Sequence, residues 1–289
     1  MVGAEEEDAV AGAAEVAEDK RMKIGVGYRK EIATWLAARP PSINCLELTA
    51  EHFYDLPPSR IDALLSRLGT GLSLFVHGLG LSLGTPGPLD RQRLERFAQM
   101  ADATGAEWVS EHVAFTRTAE TDLGHLNPVP PTREGVKIMA EHAREVMECC
   151  GRPLLLENIT SHVRLMGELT ETEFLNELCT SANCGLLLDV TNLFVNSCNH
   201  KFAPLEWLRE LEPATIRQLH IVGFSCQNGR YTDDHSQPVQ EELLDLARVI
   251  IDYAPVEAII LERDADFPGA DGMNAEVAKL EALCPRLIP

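Results

Sequence analysis

The chain has 289 residues, 45% of them hydrophobic, and a formal charge of −20. That length can bury a full core as one barrel-sized domain or as two ordinary ones. The acidic balance argues against nucleic-acid binding by phosphate neutralisation, and no run approaches the roughly 18 apolar residues of a membrane helix.

Residues 1–21 hold seven acids against Lys20 and Arg21 and no aromatic residue. They are expected to form a flexible acidic tail, with a short helix as the alternative. The charge is wrong for a secretory signal, and no apolar segment follows it. Eight cysteines lie scattered without a Cys-x-x-Cys pair, which suits reduced thiols in a cytoplasm.

From residue 22 to 289 a single domain is expected. Short apolar runs at 22–26, 44–48, 72–77, 107–111, 153–158, 184–190, 217–222 and 257–262 read as strands buried on both faces. Helical patterns separate them. One carries Ile32, Trp35 and Leu36; one opens at Pro57-Pro58 with Ser59 as N-cap; one starts at Asp90; and a strongly amphipathic one spans 132–150 after a long proline-containing loop. Four more are expected near 171–182, 204–211, 238–252 and 272–283. Eight strands alternating with eight helices predict a (β/α)8 TIM barrel. A doubly wound open sheet is the weaker choice, because polar residues gather at strand ends along the whole chain instead of at one switch point.

In a barrel the C-terminal strand ends share one mouth. His77, Glu111 and His112, Glu157 and Asn158, Asp189 and Asn192, His220, and Glu262 with Asp264 fall there, and the loop after strand seven adds Asp233, Asp234 and His235. So many imidazoles and carboxylates are costly to bury without cations between them. With roughly four to six donors per ion, they suggest two or three metals, with a carboxylate such as Glu157 as a bridge. Each residue has a plainer reading as a hydrogen-bonded strand end, and Asp233 and His235 as turn residues beside Asn228-Gly229. His142 and His162 are expected to be solvated; His125 and His200 lie in loops near the mouth, outside direct ligation. The run from Gly78 to Gly84 lacks the ending of a phosphate-binding loop and is expected to be a tight loop supporting His77.

The strings Val76-His77-Gly78-Leu79-Gly80-Leu81-Ser82-Leu83-Gly84, Val109-Ser110-Glu111-His112, Leu155-Leu156-Glu157-Asn158, Leu187-Leu188-Asp189-Val190-Thr191-Asn192, Leu219-His220-Ile221-Val222-Gly223 and Asp233-Asp234-His235 resemble the multinuclear non-haem iron-dependent oxidative enzymes, over about residues 25–264. The resemblance implies a xylose-isomerase-like barrel with two or three irons, in a mixed Fe(II)/Fe(III) state, and dioxygen as co-substrate. The implied substrate is a ribosomally made precursor peptide, often oxidised at cysteine and often delivered by a partner protein. Carried over by motif, the metal ligands are His77, His112, Glu157, Asp189, His220, Asp233, His235 and Glu262, with Glu157, Asp189 and His220 at the catalytic centre. The chain departs from the family pattern at Thr49, where many members have histidine, at Thr191 in place of asparagine, and at Phe224-Ser225-Cys226, which lacks the histidine that commonly follows the glycine.

Other functions fit the same barrel. A sugar isomerase or epimerase would use Mn, Mg or Zn with Glu157 and Glu262 as acid and base. A phosphodiester hydrolase ranks lower, because the acidic charge repels its substrate, and a non-enzymatic metal-binding role is the remaining choice.

Overall fold

A computed structural model describes residues 22–284 other than 70 and 119. The expected acidic tail and the last five residues of the expected domain lie outside the described residues. Eight parallel strands close into a barrel: β1 Lys23–Gly27, β2 Cys45–Thr49, β3 Ser73–His77, β4 Trp108–His112, β5 Leu154–Glu157, β6 Gly185–Asp189, β7 Ile216–Ile221 and β8 Ala258–Leu261, with β8 pairing back onto β1 through Lys23↔Ala258 to Val26↔Leu261. Each lies within one residue of its expected bounds at either end.

The strands are legible because both faces are buried, but the two faces do different work. Leu46, Val76, Val109, Leu154, Leu156, Leu188, Leu219 and Leu261 point outward into the main core beneath the helices. Cys45, Phe75, Trp108, Leu155, Leu187 and Ile260 form a separate layer inside the barrel. Side chains alternate along a strand. Two residues beyond that inner layer, towards the C-terminal ends, each strand therefore points its next side chain into the barrel mouth. Those positions are Glu47, His77, Ser110, Glu157, Asp189 and Glu262.

Asp90 caps the helix Arg91–Thr104 by accepting from Gln92 N and Arg93 N, as expected from its side chain. Thr132 does the same for Arg133–Cys150. Ser59 is not the cap of its helix. Pro57 occupies that position with no side-chain cap bond and Pro58 starts the helix, since the fixed φ of proline already suits the first turn.

One longer helix and two hairpins were not expected. The helix Val190–His200 begins directly at the end of β6, capped by Asp189; Val, Thr, Asn and Phe are weak helix formers, so its sequence does not announce it. The proline-containing loop holds a hairpin, Ala114–Arg117 with Asp122–Pro128, and Asp233 and His235 lie on the second strand of another, Gly223–Gln227 with Arg230–Gln237. His142 is buried, not solvated: it faces inward from its helix, with Nδ1 2.7 Å from Leu83 O and Nε2 2.7 Å from Gly87 O. It thereby ties the loop after β3 to the helix shell. His162 is exposed as expected.

Phe97 is fully buried under that loop, and a Cβ on Gly78 would meet its ring at 3.0 Å. Phe97→Ala is expected to cost about 3–5 kcal/mol by urea denaturation, the usual range for emptying a buried aromatic site.

Candidate metal centre

Glu157 ends β5 with its side chain in the barrel mouth, 2% exposed. Three imidazoles surround it: His77 Nε2 lies 3.5 Å and His112 Nε2 3.4 Å from Oε2, and His220 Nδ1 lies 3.3 Å from Oε1. Glu262 Oε2 is 3.0 Å from the same His220 nitrogen. Asp189 completes the ring. Two sets of side chains have donor atoms close enough to hold a cation: His77, His112 and Glu157, and Glu157, Asp189, His220 and Glu262. They share Glu157.

Each ring is aimed from behind. His77 Nδ1 meets Ser110 Oγ at 2.8 Å, and His112 Nδ1 lies 3.2 Å from Glu111 Oε1. Glu111 itself faces away from the mouth and accepts from Leu81 N in the glycine-rich loop, so that loop backs His112 through Glu111, where support of His77 was expected. His220 Nε2 lies 2.7 Å from Glu47 Oε1. These contacts hold the nitrogen facing away from Glu157 and leave the other for a metal, the usual support of a histidine ligand. Asp189 accepts from Asn192 N with one oxygen as the helix cap, while Asn158 brackets its backbone on both sides.

Of the eight expected ligands, six fall in these two sets. Asp233 and His235 stand beside them: His235 Nε2 is 2.8 Å from Asp233 Oδ2, and His235 Nδ1 is 3.1 Å from Asp264 and 3.9 Å from Glu262. His235 has φ +53, an uncommon backbone state for a non-glycine residue. Arg263, buried and ion-paired to Glu276, donates to the carbonyls of Ser236, Ala265 and Asp266. It thus pins the base of the hairpin that carries His235.

Glu47 was missed as a site residue. It is buried, bonds His220, and accepts from Gln218 Nε2 at 2.6 Å, while Trp108 Nε1 donates to Gln218 Oε1 at 2.6 Å. Its signal was parity, since Glu47 follows the inward-facing Cys45 by two residues. Thr49 accepts from Arg29 Nη1 at 3.3 Å, and Arg29 in turn holds Asp264 at 2.6 Å. His125 and His200 bond backbone oxygens of Leu123 and Ser161.

The electrostatics fit cations. Five carboxylates (Glu47, Glu157, Asp189, Asp233 and Glu262) crowd four imidazoles in a buried space. Asp189 is pushed well up by burial and by Asp233 and Glu157. Burial alone would lower His112 and His235, but the carboxylates of Glu157 and Glu111 raise His112 to about 9, and Glu262 with Asp233 and Asp264 raises His235 to about 12. Buried donor atoms of His77 (Nε2), Glu157 (Oε2), Asp189 (Oδ2), His220 (Nδ1), Asp233 (Oδ1) and His235 (Nδ1) have no hydrogen-bond partner. Orphaned polar atoms of this kind are rare unless a ligand takes them, and oxygen and imidazole donors suit first-row divalent metals.

The family model described as "RiPP precursor modification enzyme MbnB/TglH/ChrH" matches residues 23–284. The chain belongs to this family. A UPF0276 protein of Bordetella pertussis is 32% identical over 270 residues, spanning 91% of this chain and 93% of that protein. One from Chromobacterium violaceum is 34% identical over 260 residues, spanning 90% and 94%. Among solved structures, a putative xylose isomerase from Rhodospirillum rubrum superposes with a TM-score of 0.63 at 17% identity, covering 91% of this chain and 100% of that one. That likeness establishes the xylose-isomerase-like TIM barrel. Membership of the MbnB/TglH/ChrH family makes the chain an enzyme of RiPP precursor modification, with a precursor peptide as substrate.

A histidine raised in the fold stabilises it fully below its unfolded value near 6.5, and that contribution is lost as the pH rises through the folded value. Metal-free protein is therefore expected to lose on the order of 3 kcal/mol from His112 between pH 6.5 and about 9. Urea midpoints across this window should show the loss, and Glu157→Gln should shrink it.

Proposed function

We propose that this MbnB/TglH/ChrH enzyme is a multinuclear iron, dioxygen-dependent oxidase of a cysteine-containing precursor peptide. The observation that carries the reading is the sharing of Glu157 between two sets of buried donors, in which atoms of His77, Glu157, Asp189 and His220 have no hydrogen-bond partner. His77 and His112 would hold one ion, and Asp189, His220 and Glu262 the other, with Glu157 common to both. Asp233 and His235, next to Glu262, are the residues for a third. Iron bound there supplies the one-electron chemistry through which dioxygen oxidises a thiol-bearing substrate.

The chain's own residues do the rest. Ser110, Glu111 and Glu47 fix the three rings so that no reorganisation is needed when the ions arrive. Above Glu157 lies a cavity of about 440 Å³, walled by Leu79, Leu126 and Ile159 and edged by Arg29, His52 and Thr160. This is the entry for the substrate cysteine. Leu79, Leu126 and Ile159 give the reacting group one apolar wall, while Arg29, engaged with Asp264, offsets part of the carboxylate charge near Glu262. Six residues shared between two ions fall short of the roughly four to six donors each would take, which would leave room for the substrate's own sulfur on a metal that accepts sulfur beside oxygen and nitrogen.

The test is metal analysis of protein prepared anaerobically under reducing conditions. More than one iron per chain is expected, falling below one in Glu157→Gln and in His220→Ala while circular dichroism shows the fold retained. Full iron occupancy in both variants would sink the assignment. Turnover of a sugar without oxygen, with Mn, Mg or Zn, would instead favour an isomerase or epimerase with Glu157 and Glu262 as acid and base.

A further inference from the structure

On the far side of Ile159 from the metal cavity lies a second one, of about 390 Å³. The segment 157–161 is the partition: Glu157, Ile159 and Thr160 face the metal side, and Asn158, Ile159 and Ser161 the other. The floor of this second groove is Leu169, Phe174 and Leu175, all buried. Its rim carries Val163, 59% exposed, and Met166, 86% exposed, two of the six large hydrophobic residues exposed among the described residues. The acid at its edge, Glu171, is already engaged, accepting from Trp207 Nε1 at 3.1 Å. The walls are therefore mainly apolar, and two exposed hydrophobic side chains on one loop mark a surface that binds something.

Position says what. Ile159 is common to both cavities and follows Glu157 by two residues, so the wall shared with the groove lies within roughly 8 Å of Glu157 at about 3.8 Å per residue step. An extended peptide covers that distance in two or three residues at about 3.3 Å each. Resting on the reading of this enzyme as a modifier of cysteine-containing peptides, we propose that the groove seats a large aliphatic or aromatic side chain of the precursor, two or three residues from the modified cysteine. The groove would then set which cysteine of a precursor enters the metal cavity, through its neighbour and not through the thiol itself.

The experiment uses the full chain and two synthetic, fluorescein-labelled nonapeptides under reducing conditions. One has a leucine three residues from its single cysteine; the other has serine in that place. Fluorescence anisotropy is expected to show the leucine peptide binding about tenfold more tightly or better, the size expected for taking one leucine out of water. The double variant Val163→Asp/Met166→Asp, whose sites are exposed and whose folding is checked by thermal melt, should abolish that preference. Glu157→Gln should keep it while losing iron. Equal affinity for the two peptides, no binding of either, or a preference that survives the double variant would overturn the proposal. So would a wild-type dimer in sedimentation that the double variant dissociates, which would give the groove to a second copy of the chain. A preserved leucine preference together with full iron in Glu157→Gln would keep the groove and reject the metal reading.

Discussion

Everything in this molecule turns on the cost of burying Glu157. A carboxylate in the interior is tolerated only when opposite charge or hydrogen-bond donors meet it, and here the paired strand β4 brings up His112, while β3 and β7, further round the barrel, bring up His77 and His220. These imidazoles are themselves held by Ser110, Glu111 and Glu47. Removing any layer of this arrangement leaves a charge without a partner, so the second row of side chains is as tightly constrained as the first.

The barrel makes such an arrangement affordable in sequence terms. Strand parity sends one apolar layer into the barrel and, two residues later, one layer of ligand-type side chains, so a short run such as Leu155-Leu156-Glu157 encodes packing and chemistry at once. The mouth can then differ widely while the floor stays the same. The likeness to a putative xylose isomerase at 17% identity is a likeness of scaffold.

Much of this is legible in the sequence. The eight strands stood out because they are aliphatic runs between breakers, and six of the ligand candidates fall into the two sets because they close those runs. Elements whose stability comes from tertiary contacts were not readable. The helix Val190–His200 is built from weak helix formers and is started by the cap from Asp189. The hairpin bearing Asp233 and His235 is held by Phe194, Phe224 and Tyr231, whose rings pack against one another, and by the ties of Arg263 at its base. Glu47 does not stand out among the strand ends, because it sits mid-strand, where only its parity with Cys45 points it inward. His142 was misjudged because its acceptors, Leu83 and Gly87, lie far away in sequence.

The chain of contacts from Trp108 through Gln218 to Glu47 and His220 has an optical consequence. Trp108 is the one tryptophan in the layer inside the barrel, stacked on Phe75 with centroids 3.9 Å apart and bonded to Gln218. Its indole emission is set by that hydrogen bond and by the charges two side chains away. Trp108 is thus wired to His220 from beneath the site, so its share of the indole emission is expected to change when His220 changes its charge or partner.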